Sequence, residues 1–254
     1  MTILAITQAR IGSTRLPAKI LKEIEGVSLL EIHLQRILKS RLITKLKVAT
    51  TTESETYKII EIANRLGVDT YQGSINDVLD RFFQAALPEK PDYVVRLTSD
   101  CPLIDPIVID QVIDQCIKTN CDYASNVLNP TFPDGMDVEV FKFSALEKAY
   151  EEATLTSDRE HVTPYIWRNS SQRGGALFNS VNVGNVVDYS EFRITVDTQE
   201  DFHLIENLIM NLGTDKPFED YVNYMATHQN LRQLNQQFAR NEGYEKSLLK
   251  DKIN

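Results

Sequence analysis

Short apolar runs alternate with amphipathic segments of helical period along the first hundred residues of the chain. The apolar runs lie at residues 3–6, 46–50, 68–71 and 93–97, and the amphipathic segments lie at residues 29–42, 54–66 and 77–87. This order of strand and helix is typical of a parallel sheet with right-handed crossovers. We therefore predict an α/β fold in which a mostly parallel central sheet is flanked by helices.

The chain has the composition of a single globular unit. No internal repeat, low-complexity stretch or long linker interrupts its 254 residues, so we predict one domain over residues 1–228 and a helical, polar tail over residues 229–254. The apolar runs are too short to span a membrane, and the N-terminus lacks the regions of a signal peptide. A cytoplasmic protein without a membrane partner is expected.

Charge is distributed unevenly along the sequence. The formal net charge is −9 and the pI is about 5.0, which argues against nucleic acid as a partner. Residues 1–50 nevertheless contain nine Lys and Arg against three Glu, so the remainder of the chain carries all of the acidic excess. This asymmetry favours an anionic ligand near the N-terminus over a merely solvated basic turn. The three cysteines have no ligand spacing and are expected to be buried thiols.

A basic loop follows the first apolar run directly. Its cations and small residues are Arg10, Gly12, Ser13, Thr14, Arg15 and Lys19. Glycine lets backbone N–H groups approach oxygen atoms closely, while guanidinium and ammonium groups neutralise negative charge. Such a loop can wrap a polyanion, and we predict that it binds a nucleoside triphosphate.

Two aspartates follow predicted strands at the edge where ligands of parallel sheets collect. Asp100 ends the fourth strand and precedes prolines that stiffen the turn, a position that suits a hard cation such as Mg²⁺. Asp100 could instead cap the next helix, but Asp105 fits that role better. Residues 192–196 alternate as a strand that ends in Asp197, and Thr198 can cap the following helix in its place.

The N-terminal segment resembles the signature of the sugar-acid cytidylyltransferases, the family of CMP-Kdo and CMP-sialic acid synthetases. That family has a loop of pattern A-R-x-G-S-T-R-L-P-x-K, matched here from Ala9 to Lys19. The whole chain is most similar to the SpsF-like branch, named for spore-coat polysaccharide biosynthesis. The resemblance implies a Rossmann-like nucleotidyltransferase fold of the nucleotide-diphospho-sugar transferase type. It also implies a homodimer that transfers CMP from CTP to an ulosonic or nonulosonic acid, with release of pyrophosphate, for surface polysaccharide biosynthesis.

The resemblance assigns roles to residues at the strand ends. The expected nucleotide-binding residues are Gln8, Ala9, Arg10, Gly12, Ser13, Thr14, Arg15, Lys19, Thr50, Gly73 and Thr98. Arg10, Lys19 and Asp100 are expected to carry catalysis. The motifs D-x-P-x-x-x-P and V-D-T-x-E-D imply that Asp100 and Asp197 hold Mg²⁺ as the cofactor. Residues 96–99 depart from the Kdo-type pattern, which has a Gln and a Gly there, and this leaves the base and sugar contacts open.

Two further blocks resemble the family and would line the sugar side of the cleft. They are F-P-D-G-M-D-V-E-V-F at residues 132–141 and D-R-E-H-V-T-P-Y at residues 158–165. The expected sugar-binding residues are Asp134, Asp137, Glu139, Arg159, His161 and Arg193. Arg159 suits an acceptor carboxylate or phosphate. The first block is equally explained by a surface hairpin, and the second by a capping region with Asp158 as N-cap and His161 as a structural residue.

Three other functions remain open on the sequence. The chain could be a nucleotidyltransferase that uses GTP or UTP and a sugar phosphate, or a nucleotide-binding module without turnover. It could also be a glycosyltransferase, although Asp137-Val138-Glu139 only loosely imitates a D-x-D metal motif. No Ser-His-Asp or Cys-His arrangement argues for a covalent intermediate.

Overall fold

A seven-stranded sheet lies at the centre of residues 1–13 and 15–252, which the computed structural model describes. The strands are β1 (Ile3–Gln8), β2 (Glu23–Ile24), β3 (Val27–Ser28), β4 (Lys45–Thr51), β5 (Asp69–Gly73), β6 (Tyr93–Thr98), β7 (Tyr123–Ser125), β8 (Glu139–Lys142) and β9 (Ser180–Asn182). The helices are α1 (Leu29–Ile37), α2 (Tyr57–Arg65), α3 (Val78–Ala86), α4 (Pro106–Thr119), α5 (Phe143–Glu152), α6 (Thr156–His161), α7 (Pro164–Arg168), α8 (Gln199–Leu212), α9 (Phe218–Thr227), α10 (Gln229–Arg232) and α11 (Glu242–Asp251).

The sheet is mostly parallel, as the sequence predicts. Its strand order is β5-β4-β1-β6-β8-β7-β9, and β2 pairs with β3 in a separate two-stranded ribbon. Strands β4, β1 and β6 pair in parallel, whereas β8 lies antiparallel between β6 and β7. The carboxyl ends of β1, β4, β5 and β6 therefore meet at one edge, and β8 begins at that same edge. The first residue of β8, Glu139, thus lies at the same edge as these strand ends.

Helices cover both faces of the sheet because the central strands are apolar on both faces. Along β1, Ile3 and Ala5 pack into one core cluster, while Leu4 and Ile6 pack into the other. Helices α1, α2, α4, α8 and α9 bury their apolar sides in the first cluster. Helices α3 and α5 bury theirs in the second. This three-layer arrangement confirms the predicted α/β fold class.

Local capping follows the sequence at several helices. Asp105 accepts a hydrogen bond from the backbone N–H of Ile107 at the start of α4, as predicted, and Pro106 occupies the first turn. Thr198 caps α8 in a reciprocal capping box with Asp201. The cysteines of the described part are buried and unbridged, as expected.

Two local predictions are wrong. Residues 192–196 do not form a strand of the sheet; Arg193 makes only an isolated bridge to Asp134, because the segment is held by scattered backbone bonds beside the strand ends. Asp158 is not a helix N-cap, since α6 begins two residues earlier. Its buried carboxylate instead accepts two hydrogen bonds from Arg168.

The chain after α9 packs back onto the domain. Helix α11 lies against α6, and the buried side chain of Asn235 donates to the Asp201 carboxylate at 2.8 Å. Within the described ranges, no helix has the length and apolarity that a membrane crossing needs.

Candidate functional site

A cavity of about 1080 Å³ opens at the sheet edge where β1 and β6 end. Most of the residues predicted to bind ligands line it together. They are Gln8, Ala9, Arg10, Gly12, Ser13, Arg15, Lys19, Thr98, Asp100, Asp134, Asp137, Glu139, His161, Arg193 and Asp197. Segments that are far apart in sequence thus share one site.

The basic loop after β1 folds back so that its last cation faces the strand ends. Ala9 donates its N–H to the carbonyl of Ala49, which continues the parallel pairing beyond β1. Ala18 adopts a left-handed backbone conformation with φ of 52°, and a 3₁₀ turn over Lys19–Leu21 follows. The reversal at Ala18 brings Lys19 back toward β6. The predicted contact of Thr14 lies outside the described residues.

Lys19 joins the two predicted metal ligands. Its Nζ atom lies 3.1 Å from Asp100 Oδ2 and 2.7 Å from Asp197 Oδ1. The side chain of Lys19 is 13% exposed, so a nearly buried ammonium group holds both carboxylates. The two aspartates are therefore brought together around one positive charge, although 97 positions separate them in the printed sequence.

Backbone bonds fix the two aspartates next to each other. The carbonyl of Asp100 accepts the N–H of Val196 at 2.8 Å and the hydroxyl of Thr195 at 3.0 Å. The Asp197 carboxylate is further held by Arg15 at 2.9 Å and by Arg193 at 3.1 Å. The segment before Asp197 thus performs the positioning that a regular strand was predicted to perform.

Opposite charges dominate the protonation of this cluster. Burial disfavours the charged form of Lys19, but Asp100 and Asp197 outweigh it and raise the pKa of the ammonium group. Burial likewise disfavours ionised Asp100, yet the Lys19 charge and a hydrogen bond from Thr98 hold the pKa of this carboxyl well below its usual range. Both groups are therefore charged at neutral pH, and the carboxylate is available to a cation.

The donor set fits a magnesium ion that is shared with substrate. Among the described residues, no group of three or more His, Cys, Asp or Glu side chains is placed to hold a metal alone. Mg²⁺ is commonly bound through one or two carboxylates, with water and substrate phosphates completing its coordination. Asp100 and Asp197 supply that number of hard oxygen ligands, and the Lys19 ammonium already sits between them.

A network of ion pairs extends from Asp197 toward β8. Arg193 donates to Asp134 at 2.6 Å and to buried Asp201 at 2.9 Å, while Arg240 pairs with Asp137. Burial raises the pKa of Asp134 to about 7, helped by the charge of Asp137 and opposed by the two arginines. These predicted sugar-binding residues thus line the cavity as members of an ion-pair network.

Glu139 is buried at the start of β8, where it is held by two strands. It accepts a hydrogen bond from the hydroxyl of Tyr123 at 2.5 Å and forms an ion pair with Arg96. The Arg96 Nε atom is buried without a hydrogen-bond partner in the described part of the protein, and Arg96 lines the cavity. A buried, unpaired donor beside a cavity is costly unless a ligand satisfies it.

Three predicted residues do not line the cavity. Thr50 is fully buried. Ala49, the residue before it on β4, packs on the α3 side of the sheet. Gly73 ends β5 and lies against Arg81, since a Cβ atom there would approach Arg81 Cγ to 3.1 Å. Arg159 donates to Asp77 at 2.6 Å and to the Tyr150 carbonyl at 2.9 Å, so its guanidinium is engaged outside the cavity. The geometry gives no support to its predicted contact with the acceptor.

Several charged residues of the site were missed in the sequence. Arg81 lies on α3, where one charge in an amphipathic helix gave no signal, although it is only 1% exposed. Its Nε atom has no partner within the described residues, and burial lowers its pKa to about 10. Arg240 and Glu242 lie in the polar C-terminal region, which has no motif that would mark them. Only the tertiary structure brings Glu242 to the cavity and Arg240 to Asp137, which lines it.

Comparison with known proteins identifies relatives that cover most of the chain. A family model described as cytidylyltransferase matches residues 4–246. An uncharacterised protein of Methanocaldococcus jannaschii is 40% identical over 80% of this chain and 82% of its own length. The spore coat polysaccharide biosynthesis protein SpsF of Bacillus subtilis is 31% identical over 83% of this chain and 88% of its own. A solved cytidylyltransferase structure from Leptospira borgpetersenii superposes with a TM-score of 0.86 at 33% identity, covering 94% of this chain and all of the other.

Proposed function

This chain belongs to the cytidylyltransferase family, and we propose that it transfers CMP from CTP to a sugar acid of the ulosonic or nonulosonic type, releasing pyrophosphate. The name of the SpsF relative further suggests that the product serves surface polysaccharide biosynthesis. One observation carries the proposal: the carboxylates of Asp100 and Asp197 converge at the end of a loop of cations. Nucleotidyl transfer needs this combination of charge and positioning more than it needs a covalent catalyst.

The loop cations would bind the phosphates that leave as pyrophosphate. Arg10 lines the cavity and forms no ion pair within the described residues, so its guanidinium is available to an anion. Arg15 and Lys19 already bind carboxylates, which have the charge and oxygen geometry of a phosphate edge. Held by these groups, the triphosphate would present its α-phosphorus for in-line attack by an acceptor oxygen.

Asp100 and Asp197 would hold Mg²⁺, the cofactor that we propose. Bound there, the ion would supply charge stabilisation at the α-phosphate and lower the pKa of the acceptor hydroxyl. Lys19 contributes independently, since its ammonium keeps Asp100 ionised and holds the two carboxylates near each other. It is also placed to neutralise charge on the departing pyrophosphate.

Unsatisfied groups on the α3 side of the cavity support cytosine as the base. Gln8 follows Leu4 and Ile6 on the face of β1 that packs against α3, which carries Arg81. The Gln8 Oε1 atom accepts no hydrogen bond, and Arg81 Nε donates none, among the described residues. Cytosine offers an amino donor beside ring acceptors, so it complements one unpaired acceptor and one unpaired donor.

A cavity arginine without an acidic partner among the described residues supports an acidic acceptor. Arg173 lines the cavity and stacks over the Trp167 ring at 5.6 Å, and one of its nitrogens donates to the Leu128 carbonyl at 3.0 Å. No carboxylate pairs with Arg173 in the described part of the chain. Its remaining N–H donors suit the carboxylate of a sugar acid, the role that the sequence gave to Arg159.

A pyrophosphate-release assay tests the proposal. The purified protein would be incubated with Mg²⁺, each of the four nucleoside triphosphates and a panel of ulosonic acids, with sugar phosphates as comparison acceptors. We expect release with CTP and at least one ulosonic acid, and loss of release in the Asp100→Asn and Asp197→Asn variants. Release that requires another triphosphate or a sugar phosphate would contradict the assignment.

A further inference from the structure

The C-terminal region forms one wall of the cavity. We call residues 239–247 the C-terminal strap; it enters at Ala239 and continues into the first turns of α11. Arg240 attaches the strap by pairing with Asp137 and by donating to the Phe132 carbonyl at 3.2 Å. Ser247 attaches its other end by donating to Glu160 at 2.8 Å. The strap is thus fixed on both sides of Glu242.

Glu242 reaches from the strap to the basic loop. Its Oε2 atom lies 3.3 Å from Arg15 Nη1, while Asp197 lies 2.9 Å from Arg15 Nη2. The other oxygen of Glu242 accepts the backbone N–H of Ala239 at 3.2 Å, which fixes the direction of the carboxylate. The two outer nitrogens of Arg15 are therefore both occupied by acidic side chains of the protein itself.

These contacts place a carboxylate where the proposed function requires a phosphate. We propose that Glu242 competes with the triphosphate for Arg15 and thereby sets the affinity for the nucleotide. This inference rests on the proposed function, because it assumes that Arg15 binds phosphate oxygens. It assigns a role to a residue that no motif of the basic loop includes.

Replacement of Glu242 by the triphosphate at Arg15 costs little free energy. The side chains of Arg15 and Glu242 are 35% and 28% exposed, and ion pairs with such access to water are weak. A triphosphate carries more negative charge than one carboxylate, so it wins the competition when present. Arg240 and Ser247 keep the strap attached during the exchange, so only the region around Glu242 has to move.

The strap carries its own optical reporter. Tyr244 lies two positions after Glu242, and its ring centroid is 5.7 Å from that of Trp167 in an edge-to-face contact. Trp167 is the single tryptophan of the chain. Displacement of Glu242 by phosphate moves the neighbouring Tyr244, and this changes the surroundings of the only indole.

The test compares two charge-matched variants, Glu242→Gln and Glu245→Gln. Glu245 lies on the same helix and is exposed outside the cavity, so its substitution removes the same charge without touching Arg15. Binding of CTP and of inorganic tripolyphosphate would be measured by calorimetry, and Trp167 emission would be followed with tripolyphosphate, which does not absorb. Pyrophosphate release by the wild-type protein is measured in parallel.

We expect Glu242→Gln to bind both ligands about two- to fivefold more tightly than wild type, the scale of one partly exposed ion pair, and Glu245→Gln to match wild type. Tripolyphosphate should shift Trp167 emission in the wild-type protein, and less so in Glu242→Gln. Equal affinities in the two variants, or weaker binding by Glu242→Gln, overturn the inference while wild-type pyrophosphate release upholds the proposed function. A wild-type protein that binds neither ligand contradicts both.

Discussion

At the scale of single residues, the cations of the basic loop differ in whether they already have a partner. Lys19 and Arg15 are paired with aspartates, whereas Arg10 lines the cavity and forms no ion pair within the described residues. Removing Arg10 therefore breaks no ion pair among these residues. This makes Arg10 the residue at which a contribution to catalysis separates most cleanly from a contribution to stability.

Arg10→Ala should lower kcat/KM for CTP by a factor equivalent to about 2–4 kcal/mol of transition-state stabilisation, the scale of one preorganised charge donor. The free energy of unfolding should change little. Arg41→Ala, at an exposed position outside the cavity, provides the control and should leave both quantities unchanged. Near-normal turnover by Arg10→Ala would show that the loop does not bind the leaving phosphates.

His33 gives the protein a pH-dependent stability. It is fully buried, with its ring nitrogens 2.9 Å from Thr7 Oγ1 and 2.8 Å from the Cys101 carbonyl, and burial lowers its pKa from 6.5 to about 4. The unfolded chain takes up this proton near its ordinary pKa, whereas the folded chain resists it. The contribution of neutral His33 to the free energy of unfolding is therefore complete above pH 6.5 and is lost as the pH falls toward 4.

Between about pH 7 and pH 4, this single group should remove about 3 kcal/mol from the free energy of unfolding. Urea unfolding at several pH values would measure the loss. The comparison of His33→Gln with wild type cancels the contributions of Glu and Asp titration to the free energy of unfolding. The difference in the free energy of unfolding between the two proteins should shrink by that amount between pH 7 and pH 4. A constant difference would mean that His33 takes up its proton as readily in the folded protein as in the unfolded chain.

At the scale of secondary-structure elements, Asp105 links two helices. Its Oδ1 atom accepts the N–H of Ile107 at 2.8 Å and caps α4, while its Oδ2 atom accepts the N–H of Phe218 at 2.8 Å at the start of α9. The carboxylate is only 2% exposed. One side chain therefore satisfies two helix N-termini on the same side of the sheet.

Asp105→Ala should lower the free energy of unfolding by about 2 kcal/mol, since it removes a cap and leaves a second buried N–H without a partner. Chemical denaturation would measure this. Asp114→Ala, on the exposed surface of the same helix, removes only a pair with Lys118 and should cost a few tenths of a kcal/mol. Equal losses in the two variants would refute the double-cap role of Asp105.

The sequence predicted those elements whose residues carry a local signal. The strands β1, β4 and β6 are apolar on both faces, and Asp105 and Thr198 precede helices in capping positions, so period and capping identified them. Residues 192–196 alternate like a strand, but their partners are single backbone groups at 100 and 134, which no local pattern specifies. Asp158 was misjudged because its partner Arg168 lies on the next helix.

The same limit applies to the candidate site: residues with a local signal were predicted, and the others were not. The basic loop, Asp100 and Asp197 follow strands or motifs, and the structure brings them to one cavity. Arg81, Arg173 and Glu242 reach the cavity only through helix packing and the return of the C-terminal region. A charge on a helix or in a polar tail is ordinarily solvated, so sequence alone gave no reason to select them.

At the scale of the whole molecule, the resemblance to the sugar-acid cytidylyltransferases leads us to predict a homodimer. Light scattering of the purified protein at micromolar concentration should give twice the chain mass of 29.0 kDa. A mass equal to one chain at all concentrations would contradict the prediction.

We propose that one end of the sheet places a cation-rich loop beside two aspartates that share a divalent ion. A crystal of the protein grown with CTP and Mn²⁺, measured for anomalous scattering, tests it most directly. We expect one ion within about 2.2 Å of an oxygen of both Asp100 and Asp197, with the triphosphate against Arg10 and Arg15. An ion bound away from either aspartate, or a triphosphate outside the basic loop, would contradict it.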